Sequence, residues 1–158
     1  MRSTALSRGG ATVGSLATLP ALEAEAVLCL RHWFSGPEAR RRMQAQLSAT
    51  LGSEGAEDAV KHFGQLCQLC LSHVRRPLVR HGLQCDCQGA DENVFANFIA
   101  CAAEGDHADA MMMATLIVAP QMAPGLMSAA TEFGQALKQA TVHQMPLQQR
   151  RDATATLH

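Results

Sequence analysis

The chain has 158 residues, 47% hydrophobic and 17% charged, with a formal net charge of -1; these are the proportions of one globular domain. That balance argues against a general nucleic-acid binder or an anionic-membrane binder, since both need a large basic excess to capture phosphates. Aromatic residues make up only 4% and tyrosine is absent, which argues against a base-stacking platform as well.

The start of the chain carries Arg2 and Arg8 without an acid, but residues 9–19 include three glycines with serine and threonine between them. That stretch is too weakly apolar for a signal-peptide core. No run approaches the ~20 apolar residues of a membrane-spanning helix. The expected location is the cytoplasm, where the six cysteines stay reduced.

Apolar periodicity is helical nearly throughout, and no stretch alternates polar with apolar as an exposed strand does, so the class is all-α with no sheet expected. The spacing predicts a first helix over residues 20–34, with Leu22, Ala26, Cys29 and Trp33 on its buried stripe. Ser35, Gly36 and Pro37 break and restart the chain, and a second helix turns Met43, Leu47 and Leu51 inward before ending at Gly52. A third helix over residues 54–76 carries the clearest seam, Val60, Phe63, Cys67, Cys70 and Val74, and Pro77 ends it.

A fourteen-residue connector, 77–90, has no packing pattern of its own. Asp91 is expected to cap a fourth helix with Val94, Phe95, Phe98, Ile99 and Ala102 inward, ending at Gly105. Asp106 is expected to cap a fifth, and because residues 110–119 are apolar on every side, that helix is expected to be the central, most buried element. Pro124 opens a sixth, turning Leu126, Ala130, Phe133 and Leu137 inward. The expected architecture is a compact bundle of five to six helices over residues 19–142, with disordered tails at 1–18 and 143–158.

Cys67 and Cys70 have the spacing of a dithiol redox pair. They lie more than ten residues into their helix, however, far from the N-terminal amides that lower a thiol pKa, and both fall on the core seam. They read as packing, as do Cys29 and Cys101. The connector is different: His81, Cys85 and Cys87 lie where no periodic packing explains them. A Cys-x-Cys pair in a loop can direct two thiolates at one soft cation, with His81 as a third ligand and zinc as the cofactor. The fourth ligand is not local; His73 and His107 are the candidates.

Arg75, Arg76 and Arg80 form a basic cluster at the end of the third helix, suited to a helix dipole or to gripping a carboxylate or phosphate on a partner. Met111, Met112 and Met113 point in three directions and read as core filling rather than a copper site. Asp91, Glu92, Asp106 and Asp109 all sit where helices begin, which explains them without catalysis. No phosphate loop, nucleophile elbow or zincin helix is present. The expected function is therefore that of a small non-enzymatic regulatory or adaptor protein that binds another protein through the arginine cluster. The alternative is a thiol- or zinc-dependent sensor centred on His81, Cys85 and Cys87.

Overall fold

The computed structural model describes residues 8–144 and is an all-α bundle with one small two-stranded sheet. Helix α1 spans Ala21–Trp33, α2 Pro37–His73, α3 Ala90–Glu104, α4 His107–Ile117 and α5 Ala123–Gln144. Strand β1 covers Thr12–Ser15 and β2 covers Cys87–Gly89. Among the described residues no helix is long and apolar enough to cross a membrane.

The chain turns from α1 into α2 at Gly36, whose φ of 106° is costly for any residue with a Cβ, and Pro37 opens the new helix. The two helices expected on either side of Gly52 run on as α2, broken by a non-helical Gly52 with φ 77° and ψ 171°. The distal arm stops at His73, three residues before the expected end. Val74 leaves the helix to pair with Val118, Arg75 N–H donates to the Ile117 carbonyl at 3.1 Å, and Ala119 N–H donates to the His73 carbonyl at 3.3 Å. Long-range backbone pairing ends this helix before Pro77 can act.

Four helices meet at Phe63. Its ring lies 5.5 Å from Trp33 of α1, 6.3 Å from Phe95 of α3 and 4.5 Å from Phe133 of α5, the first two edge-on. Edge-to-face contact places a ring's positive edge on its neighbour's negative face, adding to the burial of each side chain. Helix α5 approaches α3 so closely at Gly134 that a Cβ there would sit 3.0 Å from the Ala103 Cβ and from the Ile99 carbonyl. Asp106 caps α4 as expected, accepting from the Asp109 N–H at 3.5 Å.

Two expectations are corrected. Helix α4 is not the most buried element: Ala110, Ala114 and Ile117 are covered, while Met112 and Leu116 are 59% and 64% exposed. An all-round apolar helix reports no preferred side, and the bundle covers only one. The second correction concerns the sheet. Residues 12–15 pair antiparallel with β2, Thr12 opposite Gly89, Gly14 opposite Gln88 and Ser15 opposite Cys87, with an irregularity between Thr12 and Gly14. Strands this short carry no readable alternation, and their stability comes from a partner more than seventy residues away. Residues 1–7 and 145–158 of the expected tails lie outside the described residues; residues 8–18 are ordered by β1 and a 3-10 turn at Leu16–Thr18, and α5 runs to Gln144, past the expected boundary at 142.

Candidate functional site

The connector expected to lack structure is held by two neighbouring acids at the start of α3. Asp91 lies inside the helix, whose N-cap is Gly89, so it does not cap α3 as the sequence suggested. Its carboxylate accepts from the Arg76 guanidinium at 2.8 and 2.5 Å and from the Val79 N–H at 2.7 Å. Glu92 is fully buried and closes the first turn of α3 by accepting from the Gly89 N–H at 3.0 Å. Its other oxygen accepts from the His81 N–H at 3.3 Å.

Facing Glu92 from α1 is Arg31, 1% exposed. Its Nε and one terminal nitrogen donate to the two Glu92 oxygens at 2.7 and 2.9 Å. Both terminal nitrogens also donate outward, one to the Cys85 carbonyl and one to the Cys87 carbonyl, each at 2.7 Å. One planar cation thus neutralises a buried acid and grips two backbone oxygens of the loop, a task matched to the fixed fork of guanidinium donors. Burial pushes the Glu92 carboxyl upward, but the Arg31 hydrogen bonds, the Gly89 amide and the Arg31 charge outweigh it and hold Glu92 below the ordinary carboxylate range.

On this clamp stand the residues expected as metal ligands. His81 Nε2 lies 2.9 Å from the Gly10 carbonyl. A carbonyl can only accept, so Nε2 carries the proton, and in the neutral ring Nδ1 is left as a base. Nδ1 faces the Cys85 sulfur at 3.5 Å, and that sulfur also accepts from the Cys87 N–H at 3.4 Å. The hydrogen bond with His81, then the Cys87 amide, draw the Cys85 thiol below its usual range. The same contact with Cys85, then the Gly10 carbonyl, raise the His81 imidazole. Gly89 makes this possible by closeness: a Cβ there would stand 2.9 Å from the His81 ring.

The sulfurs elsewhere are unlike this one. Burial pushes the Cys70 thiol up to about 12, and burial raises Cys29, Cys67 and Cys101 as well. Cys85 is half-buried, as is Cys87. Among the described residues no three His, Cys, Asp or Glu side chains group so as to hold a metal ion, and neither His73 nor His107 joins the loop in such a group. His81 and Cys85 meet as an acid–base pair with Cys87 beside them.

The arginines expected to meet a partner each have one within the chain. Arg75 donates to the Val118 carbonyl at 3.3 Å, Arg76 is bound to Asp91, and the Arg80 guanidinium stacks 4.1 Å over the Phe34 ring. Arg31 and Glu92, which organise the site, are the residues that sequence reasoning missed. The available signal was modest: Arg31 stands at the fourth position after the fully buried Val27, on a helix apolar over Ala26–Leu30. No family model, curated protein or solved structure matches this chain.

Proposed function

We propose that the protein is a thiol-dependent sensor whose reactive group is Cys85, activated by His81. The observation that carries this reading is the 3.5 Å approach of His81 Nδ1 to the Cys85 sulfur, with the opposite ring nitrogen fixed by the Gly10 carbonyl. Transfer of the thiol proton to Nδ1 gives a thiolate beside an imidazolium, the form of cysteine that reacts with electrophiles. The reagent class is a hydroperoxide. The thiolate sulfur attacks the distal oxygen, the O–O bond breaks, and the leaving oxygen takes the imidazolium proton as alcohol or water. Cys85 is left as a sulfenic acid. In a reducing compartment such as the cytoplasm the resting state is the free thiol, so an oxidant pulse registers as a change of state.

The test is competitive labelling of the full-length protein with limiting iodoacetamide at neutral pH, followed by peptide mapping. Cys85 should be modified first. Uniform labelling of Cys85, Cys87 and Cys101 would overturn the reading, and about one zinc per chain in protein purified under reducing conditions would replace it with the metal branch.

A second reading, a protein-binding adaptor, is favoured by α4. Met112 and Leu116 are four residues apart, hence on one face of the helix, and both are more than half exposed. Beside Leu116 lies a cleft of about 250 Å³ lined also by Leu78, Val94 and Ile117, with Arg76 and Asp91 at its polar side. The occupant suited to this surface is an apolar side chain of another protein, and Leu116→Glu should abolish such binding without unfolding the bundle.

A further inference from the structure

Three successive carbonyls of the loop are all engaged. Those of Cys85 and Cys87 point to Arg31, and that of Asp86 between them accepts from the Leu16 N–H at 2.9 Å. Leu16 follows directly on β1, whose Ser15 is the register partner of Cys87. At the other end of the same segment, Ala90 N–H donates to the Ala11 carbonyl at 2.9 Å and His81 holds the Gly10 carbonyl. The N-terminal strand therefore rests on Asp86 and Cys87, the two residues that follow the reactive Cys85.

We propose that Cys87 resolves oxidised Cys85 as an intramolecular disulfide and that closing this bond releases β1 from β2. The proposal rests on Cys85 being the reactive thiol. In the resolving step the Cys87 sulfur attacks the Cys85 sulfenic sulfur, the S–O bond breaks, and the hydroxyl leaves as water with the Cys87 proton. Two thiols and one hydroperoxide yield one disulfide, one alcohol or water, and one further water. Cys87 is placed for this, since its own amide already touches the Cys85 sulfur.

The mechanical consequence follows from spacing. Residues two apart in a strand stand about 6.5 Å apart, whereas a disulfide brings the Cβ atoms to about 3.8 Å, so closing the bond draws Cys87, the first residue of β2, out of strand geometry and contracts the segment. It cannot contract and keep all three carbonyls in place. The Arg31 bonds are charge-assisted and shielded at the buried guanidinium, while the Leu16 bond is a single neutral amide contact to exposed Asp86. The Leu16 contact gives way first, and with it the register of Ser15 on Cys87.

The experiment is hydrogen exchange read by mass spectrometry on the full-length protein, reduced and after stoichiometric hydrogen peroxide, with disulfide mapping of the same samples. Cys85→Ser and Cys87→Ser serve as variants, both at half-buried positions where serine fits. The expected result is a Cys85–Cys87 disulfide and a loss of protection of about tenfold in residues 12–18, absent in both variants, with α3 and α5 unchanged. A mapped Cys85–Cys87 disulfide with unchanged protection in residues 12–18 overturns the release while leaving Cys85 as the sensor. Peroxide that leaves Cys85 unmodified overturns the sensor reading itself. Oxidation ending in a Cys85–Cys85 bridge between chains overturns Cys87 as the resolving thiol.

Discussion

Arg31 and Glu92 are sixty-one residues apart in sequence and meet inside the protein through two hydrogen bonds, of 2.7 and 2.9 Å, with both side chains wholly shielded from solvent. A pair so placed contributes little net stability over an apolar replacement, because removing two ions from water costs nearly what their attraction returns. Breaking one half is another matter. Glu92→Gln should lower unfolding stability by about 3–5 kcal/mol, since Arg31 would remain charged, buried and without its counter-ion. Equilibrium urea unfolding measures this. The double variant Arg31→Met with Glu92→Leu should recover part of the loss but not all of it, because the Cys85 and Cys87 carbonyls lose their donors.

Acid should act through the same pair. Glu92 is held below the ordinary carboxylate range in the folded protein, so on acidification the unfolded chain takes up this proton first. Its contribution to stability is complete above that range and is lost progressively as pH falls through the folded value. Glu92→Gln should therefore flatten the acid limb of the stability profile. A variant as acid-sensitive as the parent would assign that limb to other carboxyls.

Cys85 alkylation should rise with pH through a midpoint below the usual thiol range, because His81 stabilises the thiolate. His81→Ala removes the base and the later positive charge together. The midpoint should move upward, and the rate at neutral pH should fall about tenfold. An unchanged profile in His81→Ala would assign the activation to the Cys87 amide alone.

Gly89→Ala offers a gentler probe. The added methyl would stand 2.9 Å from the His81 ring, so the ring must move away from Gly10 or from Cys85. Backbone conformation is no obstacle, since Gly89 has a φ of -82° open to alanine. Thiol reactivity should fall several-fold while the helical circular dichroism signal stays intact, which separates placement of the ring from integrity of the fold.

Cys67→Ala tests the opposite assignment. Cys67 is 1% exposed among core side chains, and losing its sulfur leaves a small cavity costing on the order of 1 kcal/mol. Peroxide sensitivity and Cys85 labelling should be unaffected. A change in either would show that a thiol read as packing takes part in the chemistry.

The sequence made the helices legible because their burial is periodic: Phe63, Cys67 and Cys70 fall on one stripe, and Gly52 marks the break in α2. His81 and Cys85 stood out for the opposite reason, as chemistry-bearing residues in a segment without a stripe. Arg31 was illegible because a charge on a helix ordinarily marks its wet face, and its partner lies on another helix. Strand β1 was illegible because four residues, one of them Gly14, define no alternation of their own. Both of these misses concern a pairing across a long sequence separation, where one chain read alone carries no signal.

The origin of the groups around Cys85 also sets when its reactivity arises. Arg31 comes from fifty-four residues upstream and Gly10 from the far end of the chain, so the surroundings of the sulfur assemble only after α1, α3 and the N-terminal strand have docked. Contacts that bridge such distances form late, after the local helices. The lowered range of the Cys85 thiol is therefore a property of the docked chain and not of the connector segment alone. Before docking, Cys29, Cys67 and Cys70 are as open to solvent as Cys85; folding buries those three and leaves Cys85 half-buried beside His81.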